Sequence, residues 1–329
     1  MAVRTGLLDE IVRMAFDTIR ANKLRSGLTV LGVVIGITSI VGMTALIRGF
    51  DQSLRDSIAA VGPDTIFVAK FSGVSMSSGA DFQDLLQRPN MRPDDAEAIE
   101  RGAPSIQMVD IILGDGGPPT QERLYYEGEK TKILNVLGTT EAFADVSKLD
   151  LEVGRFFTAN EVQRRANVVV LGQTAYTALF PSVDPVGKTV RIGFREYTVV
   201  GVVGPRPSPG GFNVGVDDFV VIPHTAYQKQ FGIRAYNMGR GEMRSILLAA
   251  VPRAGADRAQ AMREVEEVMR IRHNLRLDQP NDFDMLTQVS ILKLWDQISQ
   301  ATFFALVVIS SIALLVGGIG VMAIMTIRV

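Results

Sequence analysis

Two uncharged runs, one near each end of the chain, dominate its pattern of hydrophobic and polar positions. From Ser26 to Ile47 the sequence reads SGLTVLGVVIGITSIVGMTALI, about 22 residues bracketed by Arg25 and Arg48. From Gln297 to Ile327 no charge occurs, and the part after Ala301 is mostly apolar. As a helix that part covers about 40 Å at 1.5 Å per residue, more than the roughly 30 Å of a bilayer core. Each run predicts a transmembrane helix. A cleaved secretory signal is a poorer account of the first. The run is too long, and about 25 mostly polar residues precede it. Its small residues Gly42, Thr44 and Ala45 lie inside the run rather than at a cleavage site.

Between the runs the periodicity changes. Phe50, Leu54, Ile58 and Val61 continue a helix out of the first run, ended by Gly62-Pro63. Thr65–Phe71 predicts a strand, Ser72–Ala80 a Ser/Gly-rich loop, and 93–102 a helix opened by proline. Strands are predicted at 107–113, 123–127, 167–171, 188–192, 196–203, 220–222 and 244–251, and helices at 173–179, 225–231 and 256–272. From Thr287 the chain turns helical and runs into the second apolar stretch, with Ile291, Leu294 and Ile298 on it.

The expected fold is a membrane protein with two transmembrane helices bracketing a large α+β extracytoplasmic domain carried on stalk helices. The divisions are an entry helix over 1–25, a span over 26–47, the outer domain with both stalks over 48–296, and the stalk end with the second span over 297–327. Leu8, Ile11, Val12, Ala15 and Ile19 recur at helical spacing in the entry segment. They suit a helix lying on the inner membrane surface or against a cytosolic partner.

Basic residues orient the chain. Arg4, Arg13, Arg20, Lys23 and Arg25 precede the first span and Arg328 follows the second, which puts both ends in the cytosol of a multi-pass cell-membrane protein. A large loop is exempt from this rule and translocates regardless of its charge. The net charge of −1 offers no global field for nucleic acid.

Small residues mark where membrane helices can approach one another. Gly32 and Gly36 form one Gly-x-x-x-Gly pair; Ala313 and Gly317 repeat the spacing, followed by Gly318 and Gly320. Three glycines within four positions weaken a helix, which close packing or bending would explain.

Catalytic chemistry is sparse. There is no cysteine, and the two histidines, His224 and His273, supply few ligands for zinc. Neither a Gly-x-Ser-x-Gly elbow nor a His-Glu-x-x-His helix occurs. His224 reads as structural or exposed, Asp94/Asp95 as a helix start, and Asp217/Asp218 as a loop edge. Gly187-Lys188-Thr189 imitates a phosphate-binding loop. However, Ser182 stands where its first glycine belongs, and strands rather than a helix follow. No catalytic, metal or cofactor residue is assigned.

The chain resembles the MacB-type ABC transporter permeases, which include the lipoprotein-releasing and FtsX-like permeases. Asn22–Gly36 resembles their first span. The segments 149–157, 167–172, 184–192, 197–203 and 220–223 resemble extracytoplasmic core motifs in order, and Gly317–Met325 the second span. The resemblance implies four spans, a dimer with a second permease subunit, and a cytosolic ABC ATPase that carries ATP and Mg. An extracytoplasmic adaptor or substrate protein is a further implied partner. Similar permeases continue beyond the position of Val329 with an ATPase-docking segment and two more spans, so a fragment with a separate ATPase is expected. The implied function is efflux or extraction, with ATP-driven motion passed through Phe50, Leu54, Ile58, Ile291, Leu294 and Ile298 to the outer domain. The loop Gly204–Gly215 is a candidate contact for substrate or partner, or an inert solvent loop. The alternatives are a two-span sensor, whose outer domain binds a ligand, and a membrane-anchored enzyme.

Overall fold

The computed structural model describes Arg20 and residues 23–60, 65–77, 79, 81–115, 117–206, 215–233, 235–238, 241–244 and 246–326. Side chains within parts of the two long helices are also outside the description. The entry segment 1–19, on which a surface helix is expected, lies outside the described residues.

The chain divides into two compact units, 1–51 with 295–329, and 52–294. Helix α1 (Lys23–Ala60) contains the first apolar run. It is followed by β1 (Ile66–Ala69), α2 (Gly73–Ser77), α3 (Phe82–Gln87) and α4 (Pro93–Gly102). Strands β2 (Ile106–Leu113), β3 (Gln121–Glu122), β4 (Leu124–Tyr126), β5 (Glu129–Lys130) and β6 (Leu134–Thr139) come next. Then follow α5 (Phe143–Val146), β7 (Leu151–Gly154), α6 (Ala159–Gln163), β8 (Val168–Leu171) and α7 (Gln173–Leu179). Strands β9 (Thr189–Ile192), β10 (Arg195–Val203) and β11 (Phe219–Pro223) lead to α8 (His224–Phe231). The chain closes with β12 (Ala235–Met238), β13 (Gly241–Arg244), β14 (Ile246–Pro252), α9 (Arg258–Arg272), β15 (Asp284–Leu286) and α10 (Gln288–Thr326).

Unit 52–294 is an α+β domain built on one mixed sheet, in the order β15-β1-β14-β2-β6-β11-β8-β10-β9-β4-β5. Strand β3 joins β6, and β7 joins β10. The pairs β6/β11 and β8/β10 are parallel, the other pairs antiparallel. Because side chains alternate across a strand, both faces are apolar in the central strands. Val109, Ile111 and Leu113 of β2 enter one core with α4, α7, α8 and α9; Ile112 enters the other with α5 and α6. In β10 the parity switches. Tyr197 and Val199 face the first core, Val200 and Val203 the second, and Val202 the first again. The register against β8 shifts between Val199 and Gly201, the one-residue offset that a β-bulge introduces.

The helices predicted at 93–102 and 173–179 are present with those bounds, and the others shift by one or two residues at their starts. Two expectations are corrected. The 72–80 segment is not all loop: 73–77 form α2, because Ser72 and Ser75 hydrogen-bond Asp284 across more than 200 residues of sequence. The strand predicted over 244–251 is two strands. Arg244 ends β13 in a separate hairpin with β12, whereas Ile246 begins β14 in the main sheet.

Helices α1 and α10 have 38 and 39 residues. Among the described residues, no helix is long and apolar enough to cross a membrane. Several side chains of both apolar runs are outside that description, so the two-span reading rests on the sequence.

Candidate functional site

The two long helices meet within unit 1–51/295–329. The rings of Phe50 on α1 and Trp295 on α10 lie 4.9 Å apart at 44°. Trp295 Nε1 donates to Asp51 Oδ1 at 3.0 Å, which satisfies the indole while its body stays against Phe50. Phe50 was a predicted stalk residue; Trp295 and Asp51 were missed. A lone tryptophan at the edge of an apolar run was the available signal, since such rings favour the boundary between apolar and wet surroundings.

The other predicted residues are placed as follows. Gly36 is buried. The surroundings of Gly32, Ala313, Gly317, Gly318 and Gly320 lie outside the described residues. On α1, a Cβ on Gly42 would meet nothing within 4 Å. Lys23 and Arg48 are exposed, while the Arg25 side chain and Arg328 are outside the description. Leu54 and Ile58 lie on α1 with side chains not described. Ile291 and Leu294 are half-buried and Ile298 is exposed.

Within unit 52–294, α10 starts from a reciprocal cap. Thr287 N donates to Ser290 Oγ at 2.7 Å, and Ser290 N to Thr287 Oγ1 at 3.3 Å. Just before it, Asp284 on β15 collects donors from three residues. Ser72 Oγ donates to it at 2.6 Å, Ser75 Oγ donates as well, and Arg88 Nη1 pairs with Oδ1 at 2.9 Å. Burial pushes the Asp284 carboxyl up, and the bonds from Ser72, Ser75 and Arg88 outweigh it and hold it below its usual range. Leu294 Cδ2 would lie 3.6 Å from a Cβ on Gly73, so α2 packs directly on the first turns of α10. Asp284 thereby ties β15, α2 and the segment after α3 into one junction at the foot of the domain.

The residues weighed for catalysis do not converge. His224 is half-buried, its pKa lowered by burial, and its ring bonds the backbone of Thr139. His273 Nδ1 pairs with Asp282 at 2.6 Å. Asp217 pairs with Arg206, whose guanidinium lies 4.1 Å over the Phe219 ring; Asp218 pairs with Lys132 and Thr174. These contacts hold the two ends of the 204–215 loop, of which 207–214 lie outside the described residues. Gly187 is a turn glycine at φ +80°, and strand β9 follows from Thr189 where a phosphate cradle needs a helix. Among the described residues, no group of three His, Asp or Glu side chains is arranged to hold a metal. Asp110 is the unexpected group. It sits fully buried on β2, with Oδ1 accepting from Thr140 N at 2.9 Å and Thr140 Oγ1 at 2.6 Å. Burial pushes its pKa up to about 7 against the lowering by these bonds. Its Oδ2 has no hydrogen-bond partner.

The described chain is thus one mixed-sheet α+β domain together with two long helices, α1 and α10. The chain belongs to the MacB-like periplasmic core domain family, whose model matches residues 26–268. It is similar to the macrolide export ATP-binding/permease protein MacB of Rhodospirillum rubrum, 31% identical over 97% of this chain and 45% of that protein. The corresponding protein of Bdellovibrio bacteriovorus is 29% identical over 97% of this chain and 46% of its own length. The chain thus spans about half the length of the curated relatives it matches. In fold it is similar to the crystal structure of the periplasmic region of MacB from Actinobacillus actinomycetemcomitans. The TM-score is 0.55 at 20% identity, over 74% of this chain and 97% of that one.

Proposed function

We propose that this chain is permease sequence of a MacB-type ABC transporter and that it carries no catalysis of its own. The observation that carries the reading is the family match over 26–268, which begins with the first apolar run and covers most of the mixed-sheet domain. In this reading α1 and α10 span the cell membrane, the N-terminus is cytosolic, and unit 52–294 is extracytoplasmic. A cytosolic ABC ATPase supplies the energy, and a second permease subunit completes a dimer. ATP-driven movement of the helices reaches the outer domain through the Phe50–Trp295 contact and the Asp284 junction. The relatives' name, macrolide export, supports efflux as the outcome.

The test is purification of the native protein from membranes in mild detergent with identification of the chains or segments that accompany it. A stoichiometric ABC ATPase, together with ATPase activity that responds to changes in the outer domain, supports the reading. A signalling module in its place, with no ATPase, overturns it in favour of a two-span sensor.

A further inference from the structure

A cleft of about 440 Å³ opens on unit 52–294 where the start of α4, the end of α9 and β13 come together. Three guanidiniums line it, those of Arg92, Arg244 and Arg272, together with Asn90 and Asn274. Asp95 is the acid in its wall among the described residues. Asp95 is buried and already committed. Its Oδ2 accepts from Arg92 N at 2.8 Å, and its Oδ1 from Arg272 Nε and Nη2 at 3.1 and 2.9 Å. Among the described residues, Arg244 bonds through Nε, to Glu242 Oε1 at 2.5 Å. The Arg92 side chain is exposed, and no described residue pairs with it. Behind the wall Lys70 is buried and donates Nζ to Leu86 O, Glu242 O and Asn90 Oδ1, all neutral acceptors, at 2.8, 2.5 and 3.2 Å.

Three guanidiniums and His273 therefore line the cleft against one lining carboxylate, Asp95, while Lys70, Glu242 and Asp282 bond to its lining residues Asn90, Arg244 and His273 from behind. The unused guanidinium N–H groups of Arg92, Arg244 and Arg272 form forks suited to two oxygens of one anion. Concave walls with more cationic than anionic lining concentrate the field on such an anion.

We propose that this cleft binds a phosphate-type oxyanion, either free or as the phosphate of a lipid headgroup. The site stands independently of the transporter reading, because no residue of the long helices takes part.

The probes are inorganic phosphate and glycerophosphoglycerol, the water-soluble headgroup of phosphatidylglycerol. Each is titrated into the whole protein in detergent by calorimetry at constant ionic strength. Saturable binding is expected, about tenfold weaker in Arg92→Gln, the loss of one charge-assisted contact. The exposed Arg164 lies outside the cleft, so Arg164→Gln should leave affinity unchanged. Arg244→Gln is the second variant, and its thermal unfolding reports whether it has folded. Tighter binding of the diester identifies a headgroup site, and tighter binding of phosphate a soluble ligand; both support the cleft. Absence of saturable heat with both probes overturns the proposal, as does an equal loss in Arg92→Gln and Arg164→Gln.

Discussion

Asp110 gives the sharpest test of the domain's energetics. Replacing it by asparagine keeps an oxygen for Thr140 N and Thr140 Oγ1, which approach Oδ1 at 2.9 and 2.6 Å. It also removes the ionisation. The folded carboxyl titrates near 7, against an ordinary value of 3.8. Between those two pH values the folded state holds a proton that the unfolded state has released. Stability therefore falls as pH rises from about 4 to about 7, then levels off. At about 1.4 kcal/mol per pH unit, wild type loses about 3 kcal/mol between pH 5 and pH 8 through this one group. In a domain of this size that corresponds to a fall in Tm of about 6 °C. Asp110→Asn should lack this component, so the two proteins differ little near pH 4 and the variant is the more stable at pH 8. Thermal and urea unfolding of the detergent-solubilised chain, followed by far-ultraviolet circular dichroism at pH 5 and pH 8, measure the difference. Other titrating groups are common to both proteins and cancel. Parallel pH profiles would refute the assignment of a buried, protonated Asp110.

Further predictions concern packing and coupling. Gly138→Ala would place its Cβ 2.5 Å from Tyr227 Cβ, so the buried ring must move, with an expected loss of about 1–3 kcal/mol in urea unfolding. Gly128→Ala, where a Cβ meets nothing within 4 Å but φ is +92°, should lose only about 1 kcal/mol through backbone strain. Trp295 is the single tryptophan, so its fluorescence reports on the helix contact. Asp51→Ala and Phe50→Ala should both raise acrylamide quenching, and unchanged quenching would mean that the contact does not persist in solution. Gly36→Leu and Gly318→Leu should impair transport-coupled ATPase activity while leaving the outer domain folded. Normal coupling in both variants would count against a role for these glycines in helix packing.

The sequence alone determined what depends on near neighbours. The uncharged runs, the proline-led start of α4, and the helical spacing of α7, α8 and α9 all follow from residues within a few positions of one another. Valine-rich stretches such as 168–171 likewise announce a strand buried on both faces.

Tertiary structure decided what depends on distant partners. The strand order from β15 to β5 joins segments far apart in the chain, and nothing local in Ile66–Ala69 names β14 and β15 as its neighbours. The helix at 73–77 exists where composition favours a loop, because Asp284 holds Ser72 and Ser75. Asp95 reads in sequence as an ordinary helix-start carboxylate. Only the arrival of Arg272 from 177 positions away makes it one wall of a basic cleft. Trp295 and Asp51 are 244 positions apart, yet one hydrogen bond joins them. Local propensity involves energies well under 1 kcal/mol per residue, whereas burying or pairing a charge involves several, so the long-range contacts chose the site.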